Sequence, residues 1–158
     1  MREKIKTMTE IVSLTAEIRT TGEKIVATSG GFDPLHIGHL RCIQESSHYG
    51  RLIVIVNGDN FLIQKKGKPF MIHSERMEII AGLAGVSYVV GWDDPSTTVT
   101  GALEIIQPDF FTKGGDRDSS QVVPEARCCE QMGCQVIYGV GGGKIRSSSE
   151  LIKQASQK

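Results

Sequence analysis

Long apolar runs are missing from this sequence of 158 residues. No stretch approaches the roughly 20 apolar residues that a membrane-spanning helix needs, and the charged residues 1–6 precede no apolar run typical of secretory signals. A net charge is missing too, because 18 basic residues balance 18 acidic ones, so nothing indicates the basic field of a nucleic-acid coat. We therefore expect a cytoplasmic protein that binds neither a membrane nor nucleic acid.

Cysteines spaced for zinc are also missing. The chain has Cys42, Cys128, Cys129 and Cys134, and no two of them form a Cys-x-x-Cys pair. Adjacent Cys128 and Cys129 do not suit a disulfide framework, so we expect reduced thiols. A redox or metal protein centred on the last three cysteines is the alternative hypothesis, and stoichiometric zinc in the purified protein would support it.

Apolar runs of strand length alternate with segments of helical spacing along the chain. Strands are predicted at residues 24–29, 52–56, 86–90, 109–112 and 135–138. Helices are predicted at residues 9–20, 37–49, 75–83, 98–106, 124–132 and 147–154. This alternation predicts an α/β fold with five parallel strands in one sheet and right-handed crossover helices, and the chain length fits one such domain.

Two segments lie outside this alternation. The first helix precedes the first strand, so we divide the chain into an N-terminal helical extension, residues 1–22, and a main domain, residues 23–158. The extension is expected either to pack on the domain or to form a dimer contact. Residues 57–73 are largely polar and are predicted to form a loop after the second strand.

The densest chemical signal is Ser-Gly-Gly-Phe-Asp-Pro-Leu-His-Ile-Gly-His at residues 29–39, where the first strand ends and a helix begins. Ligands of open α/β sheets bind at the carboxyl ends of strands, and helix-start amides attract anions. His36 and His39 share one helix face, so both can donate hydrogen bonds to a reacting phosphate. We predict that both histidines are catalytic. The turn is predicted to contribute the nucleotide-binding residues Gly30, Gly31, Phe32 and Asp33.

This segment resembles the signature of the nucleotidylyltransferase superfamily, which includes the cytidylyltransferases. The resemblance covers about residues 25–154 and implies a Rossmann-like domain in which His36 and His39 contact a triphosphate and stabilise the transition state. It implies transfer of a nucleoside monophosphate from a nucleoside triphosphate to a phosphorylated small molecule, with release of pyrophosphate. Mg²⁺ bound to the triphosphate and a homodimer are expected with this activity.

Three lysines crowd the predicted loop, at Lys65, Lys66 and Lys68. Lysines on a loop beside the phosphate site can close over a triphosphate and neutralise charge in the transition state. The segment resembles the family stretch in which a lysine near the acceptor phosphate precedes a helix carrying an arginine. On that resemblance Lys65 and Lys68 are predicted to be catalytic and Arg76 to bind the acceptor. A structural ion pair is the other interpretation of Arg76.

Lys-Gly-Gly-Asp at residues 113–116 follows the fourth predicted strand. Lys113 can meet an anion, Gly114 permits close backbone approach, and Asp116 can accept a hydrogen bond from a sugar hydroxyl or a base, so we predict that these three residues bind the nucleotide. The motif resembles the heptose-phosphate adenylyltransferase branch of the superfamily, while related glycerol-phosphate cytidylyltransferases differ more here. The resemblance therefore favours a phosphorylated sugar or polyol as the acceptor.

Three serines precede the last predicted helix, where their hydroxyls can cap it and its start can seat β- and γ-phosphates. The segment resembles the family's Ser-Thr-Thr element, which holds the triphosphate. The residues implied as nucleotide ligands are Arg146, Ser147, Ser148 and Ser149. Cytidylyltransferases usually carry an arginine a few residues upstream, at the position of Gly142 here, so both CMP and AMP stay open as the transferred group.

Two further functions stay open. Some adenylyltransferases for pantetheine phosphate carry a run of three serines, so another phosphorylated acceptor such as phosphopantetheine is an alternative. The missing upstream arginine supports a non-catalytic nucleotide-binding regulatory module. The presence of both motif histidines argues against it. Binding of a triphosphate without release of pyrophosphate would favour the module.

Overall fold

Five parallel strands form one sheet in the computed structural model, which describes residues 2–115, 123–142 and 148–156. The strands are β1 (Ile25–Gly30), β2 (Arg51–Asn57), β3 (Val86–Trp92), β4 (Phe110–Gly114) and β5 (Gln135–Val140). The α-helices of the described residues are α1 (Met8–Thr20), α2 (Ile37–Ser46), α3 (Asp59–Lys66), α4 (His73–Ala81), α5 (Thr100–Ile106), α6 (Val123–Met132) and α7 (Ser148–Ser156). Within these described ranges, no helix has both the length and the apolar character needed to cross a membrane.

The strand order β3-β2-β1-β4-β5 places β1 at the centre of the sheet, and every neighbouring pair is parallel. The chain builds outward from β1 to β3 and then returns to place β4 on the other side of β1. Connections leave the adjacent β1 and β4 in opposite directions, which opens a crevice at their carboxyl ends. The predicted α/β fold with a five-stranded parallel sheet is confirmed, and the crevice lies between its two glycine motifs.

Both faces of the sheet are covered, as buried parallel strands require. The α1 face holds Ile53 and Ile55 of β2 together with side chains from α1, α5 and α6. The α2 face holds Leu52 and Val54 of the same strand together with side chains from α2 and α4. Because successive side chains of a strand point to opposite faces, odd-numbered residues of β2 belong to the α1 face.

Helix α1 is an integral part of the α1 face. The hydroxyl of Thr7 accepts a hydrogen bond from the Glu10 amide at 3.1 Å, and the Glu10 carboxylate accepts from the Thr7 amide at 3.0 Å. Ile11 and Ile18 are almost fully buried, and each such burial stabilises the fold by about 1.5–3 kcal/mol. Of the two roles predicted for the N-terminal helix, the structure shows packing on the domain, and the dimer contact stays a prediction.

The segment after β2 differs from the predicted loop, because Asp59–Lys66 form helix α3. Gly58 precedes the helix and has no side chain to cap it, so the carboxylate of Asp93 does so by accepting from the Phe61 amide at 2.8 Å. This capping residue lies 32 positions from the amide that it caps, so the local sequence contains no N-cap side chain for the helix. Lys65 consequently lies in the last turn of α3, and Lys68 follows the end of the helix.

Candidate active site

Helix α2 begins at the crevice with a cap made by two histidines. His36 is the N-cap residue, and its Nδ1 accepts a hydrogen bond from the Gly38 amide at 3.1 Å. The Nδ1 of His39 accepts from the His36 amide at 3.2 Å. Serine, threonine, aspartate or asparagine usually makes the first of these bonds. Here the imidazoles make both, which fixes the two rings at the positive end of a helix.

Ring packing fixes the imidazoles further. The centroids of the His36 and His39 rings lie 3.7 Å apart, with 22° between their planes. The Phe32 ring meets His39 edge-on, with 5.1 Å between centroids. A Cβ on Gly38 would lie 3.0 Å from Cε1 of His36, so the glycine of the motif makes room for the first imidazole.

The amide contacts also determine which imidazole nitrogen carries the hydrogen. Each Nδ1 accepts from a backbone amide, so the neutral ring that fits this geometry carries its hydrogen on Nε2. His36 and His39 therefore each supply one Nε2–H donor from a ring whose position is already set. Two positioned donors at a helix start are suited to stabilising negative charge on phosphate oxygens.

The start of helix α7 lies against the same turn. Ser148 is buried, and its hydroxyl donates to the Pro34 carbonyl at 2.8 Å, two residues before His36. The end of β5 is tied to α2 as well, because the Gly141 amide donates to the Glu45 carboxylate. The structure therefore brings Ser148, at the start of the last helix, next to the turn that carries the paired histidines.

Three predicted nucleotide-binding residues lie outside the described part of the chain, namely Asp116, Arg146 and Ser147. Ser149 falls within helix α7, and its place in that helix is all that is described. The roles predicted for these four residues stay predictions.

Lys113 lies at the end of β4, across the crevice from the end of β1. Its Nζ donates to the Ser29 hydroxyl at 3.3 Å and lies 4.7 Å from the centroid of the Phe111 ring. The side chain is only 6% exposed, so the structure holds a cation in a largely buried place at the carboxyl edge. A cation fixed in this way is suited to an anionic ligand. The prediction missed Ser29, whose one signal is its position directly before the glycines.

Two glycines of the crevice allow close packing. A Cβ on Gly31 would lie 2.7 Å from Cδ2 of Leu62 in α3. A Cβ on Gly114 would lie 3.0 Å from Sγ of Cys42 in α2. Helices therefore approach the strand ends more closely than any larger residue would permit. The nucleotide contacts predicted for these glycines stay predictions.

Asp33 ties the histidine turn to the segment after α3. Its carboxylate is 3% exposed and accepts hydrogen bonds from the amides of Phe70 and Met71, each at 2.7 Å. Hydrogen bonds to a charged group contribute about 1.5–3 kcal/mol each. The observed role of Asp33 is thus to fix the shape of the site, and its predicted nucleotide contact stays a prediction.

Arg76 is completely buried, and its guanidinium is engaged on all sides. It donates to the Gly31 carbonyl at 2.9 Å, the Asn57 carbonyl at 2.5 Å, the Met71 carbonyl at 2.9 Å and the Asp59 carboxylate at 2.7 Å. The structure therefore gives Arg76 a structural role, and the acceptor contact predicted for it stays a prediction. The other interpretation, a structural ion pair, is the observed one.

The two predicted catalytic lysines are exposed. Lys65 lies in α3 with its Nζ 5.1 Å from the centroid of the Phe61 ring. Lys68 stands two residues before Phe70, whose amide is held by Asp33. The backbone next to Lys68 is therefore anchored to the histidine turn, and the Lys68 side chain itself is exposed. Both catalytic roles stay predictions.

Two carboxylates that shape the site were missed in the sequence. Asp59 pairs with Arg76, and Asp93 caps α3. The sequence signal for Asp59 is its acidic side chain directly after β2, a position that suits the positive end of a helix. Its pairing with an arginine 17 positions later is a property of the fold.

The cysteines serve as core residues. Cys128, Cys129 and Cys134 lie in the apolar cluster of the α1 face, and all four cysteines are free thiols. Burial raises the pKa of the Cys128 thiol. A hydrogen bond with Cys134, together with burial, raises the pKa of Cys129. In the described part of the chain, no three His, Cys, Asp or Glu side chains are grouped so that they could hold a metal ion.

The native protein is therefore expected to resist alkylation at Cys128 and Cys129. Only the thiolate reacts, and a raised pKa lowers the thiolate fraction while burial blocks access. Iodoacetamide at pH 7.5 should label these residues about tenfold or more slowly in native than in urea-unfolded protein. Mass spectrometry of the peptide that contains both residues counts the labels. Native labelling at the unfolded rate would contradict the buried positions.

Comparison with known proteins adds to this geometry. A family model described as cytidylyltransferase-like matches residues 27–137, more than half of the chain. The Bifunctional protein HldE of Haemophilus ducreyi is 38% identical over 141 residues, which cover 87% of this chain and 27% of that protein. The Bifunctional protein HldE of Aliarcobacter butzleri is 36% identical over 122 residues, which cover 75% of this chain and 25% of that protein. The chain thus spans about a quarter of the length of these curated relatives.

Solved structures show the same fold. The lipopolysaccharide core biosynthesis protein from Thermoplasma volcanium superposes with a TM-score of 0.64, over 78% of this chain and 100% of that one. The two sequences are 22% identical, so this likeness concerns the fold alone. The Rossmann-like arrangement that the motif resemblance implied is thereby confirmed.

Proposed function

We propose that this chain, which belongs to the cytidylyltransferase-like family, transfers AMP or CMP from a nucleoside triphosphate to a phosphorylated sugar or polyol and releases pyrophosphate. The family match confirms the superfamily and the nucleotidyltransferase class that the motifs predicted. Residues 113–116 resemble the heptose-phosphate adenylyltransferase branch, so ATP and a heptose phosphate are the substrates we propose first.

The histidine cap of α2 is the observation that carries this proposal. The two rings stack at 3.7 Å between centroids, and each is held by an amide on Nδ1. The buried hydroxyl of Ser148 brings the start of α7 to the same turn. Two helix starts and two imidazole donors thus converge on one place, which is the arrangement that a triphosphate with several negative oxygens requires.

The proposed reaction is an in-line displacement. An oxygen of the acceptor phosphate attacks the α-phosphorus, and the bond from that phosphorus to the oxygen bridging to the β-phosphate breaks. Pyrophosphate leaves with the electron pair of that bond, and no covalent enzyme intermediate forms. Negative charge grows on the leaving group, where hydrogen bonds from His36 and His39 would stabilise it, while Lys65 or Lys68 would neutralise the phosphates on the acceptor side of the α-phosphorus.

Mg²⁺ is proposed to arrive with the triphosphate as part of the substrate. The described residues contain no group of carboxylates suited to a resident ion, and both oxygens of Asp33 already accept backbone hydrogen bonds. An ion that keeps phosphate oxygens and water as ligands needs no such group. The residues of this chain would position the phosphates that bind the ion.

The proposal is tested by pyrophosphate release with ATP, CTP, GTP and UTP against a panel of phosphorylated acceptors. The panel contains heptose and hexose phosphates, glycerol 3-phosphate, phosphopantetheine and phosphocholine. Turnover with ATP and a heptose phosphate is the expected result. Turnover with phosphopantetheine instead would establish the alternative acceptor class. Triphosphate binding without turnover on any acceptor would favour the non-catalytic module and overturn the proposal.

We further propose a cytoplasmic homodimer. Val12 on the outer side of α1 is 50% exposed, and Phe70 and Ile72 beside the site are 68% and 56% exposed, so apolar surface is available for a second copy. Light scattering of the purified protein tests this proposal. A mass of twice the chain is expected, and a monodisperse monomer would overturn it.

A further inference from the structure

The side-chain oxygen of Asn57 is a buried acceptor without a hydrogen-bond partner in the part of the chain that the structure describes. The residue is 8% exposed. Its backbone carbonyl, by contrast, accepts from Arg76 at 2.5 Å. Leaving a buried acceptor unpaired costs about 1–3 kcal/mol, and most buried polar groups are paired. An unpaired buried acceptor at the edge of the sheet where ligands bind therefore indicates a ligand that donates to it.

Asn57 is the last residue of β2, so it lies at the carboxyl edge of the sheet. Ile53 and Ile55 of the same strand pack in the α1 face, and strand alternation places the Asn57 side chain on that face too. Its neighbour on β3 is Trp92, which also packs against the α1-face cluster. Trp92 uses its indole N–H on the Thr98 carbonyl at 3.2 Å. The amide of Asn57 thus stands beside an aromatic side chain whose own donor is already engaged.

Other polar side chains continue along the same edge. Ser29 pairs in register with Ile55, two residues before Asn57. The Lys113 ammonium donates to the Ser29 hydroxyl, so these two side chains share one face. Ala27 and Phe111, two residues before them on their strands, pack in the α1-face cluster and identify that face. Asn57, Ser29 and Lys113 therefore form a polar row across three adjacent strands on the α1 face.

Two substrates must divide the carboxyl edge between them. The histidines of α2, a helix that packs on β1, β4 and β5, and the start of α7 beside Pro34 assign the phosphates of the nucleotide to the β4 side of β1. The end of β2 lies on the other side of β1 and leads directly into α3 and the lysine segment. An acceptor phosphate drawn to Lys65 or Lys68 would leave the body of the acceptor over the end of β2, next to Asn57.

We propose that Asn57 is a specificity-determining residue whose Oδ1 accepts a hydrogen bond from a hydroxyl group of the acceptor substrate. This inference rests on the proposed function and deepens it. A carbonyl oxygen can only accept, so its ligand has to donate, and the hydroxyls of a sugar or polyol phosphate supply donors. Phosphocholine has no hydroxyl donor on its body and would leave the oxygen unpaired. The end of β2 thereby selects for hydroxylated acceptors.

The test replaces Asn57 by leucine, which has a similar volume and no polar atom. With ATP and a heptose phosphate, the KM for the acceptor is expected to rise about tenfold or more, while the KM for ATP stays within twofold. The melting temperature should stay unchanged or rise, because an unpaired buried polar atom has been removed. Asn60→Leu is the matched control, since Asn60 is the other asparagine of the chain and is exposed. Its kinetic constants should match those of the wild type.

An unchanged acceptor KM in Asn57→Leu would overturn the inference, and so would a melting temperature several degrees lower, which would assign Asn57 a structural role. Calorimetric titration of the heptose phosphate into both proteins separates the inference from the proposed function. The wild type could bind the sugar phosphate tenfold more tightly than Asn57→Leu does and yet show no turnover. That result would overturn the catalytic proposal and support Asn57 as a binding residue. Equal binding, or none to the wild type, would overturn the role of Asn57.

Discussion

Replacing His39 by alanine is expected to lower the rate of pyrophosphate release about 10²–10³-fold, the loss typical of removing one positioned donor to a developing charge. The Nδ1 of His39 accepts from the His36 amide and leaves the Nε2–H as the donor of the ring. Alanine removes both the Nδ1 acceptor and the Nε2–H donor. Initial rates at saturating ATP and acceptor measure the effect, and circular dichroism checks the fold.

Two conservative variants separate the two contacts of His39. The side-chain oxygen of asparagine replaces Nδ1, so His39→Asn should preserve the cap and remain as slow as alanine. The longer amide of glutamine can carry an N–H at the position of Nε2, so His39→Gln should recover part of the rate. His48→Ala is the control, because His48 is exposed and lies outside the motif. Full activity in His39→Ala would remove His39 from the catalytic role.

Replacing Arg76 by leucine is expected to destabilise the protein by about 3–5 kcal/mol, because each buried carbonyl that loses its donor costs about 1–3 kcal/mol. The change leaves the carbonyls of Gly31, Asn57 and Met71 without their donor. For a domain of this size, about 2–4 °C of melting temperature is lost per kcal/mol, so a fall of about 10 °C is expected. Urea unfolding followed by circular dichroism measures the free energy of unfolding directly.

The same variant distinguishes the structural role of Arg76 from the acceptor-binding role that we first predicted. If Arg76 bound the acceptor, its replacement would raise the KM for the acceptor and leave the melting temperature unchanged. Arg76→Lys should fall between leucine and wild type, because one ammonium cannot span four acceptors. Arg41→Leu is the control, since Arg41 is exposed on α2. If the melting temperature of Arg76→Leu lay within 2 °C of that of the Arg41 variant, the structural role of Arg76 would be contradicted. A difference of 2 °C corresponds to a free energy of unfolding of about 1 kcal/mol.

The motif at residues 29–39 was readable from sequence because its parts act locally. Gly38 makes room for the ring of His36, and the amides that hold both imidazoles lie within three residues of them. Five strands were found for the same reason, since a buried parallel strand is a continuous apolar run. Their predicted starts and ends were mostly within one or two residues of those observed, and residues 52–56 fell inside the observed β2.

The roles of Arg76 and of helix α3 were not readable in the same way. An arginine beside a lysine cluster has the same local pattern whether it faces solvent or the core. Its four acceptors come from segments between 5 and 45 positions away. The cap of α3 comes from Asp93, beyond the next strand. Such contacts depend on which chain segments the fold brings side by side.

The sequence by itself determined the family, the parallel sheet and the histidine motif, because each depends on residue types at short, fixed spacing. The tertiary structure alone decided which charged groups are exposed beside the site and which are buried, as Arg76 and Asp33 are. It also showed the unpaired oxygen of Asn57 at the edge of β2. Burial and partner choice are properties of packed segments, so a side chain of one type can bind a ligand, hold a loop or remain unsatisfied according to what folds against it.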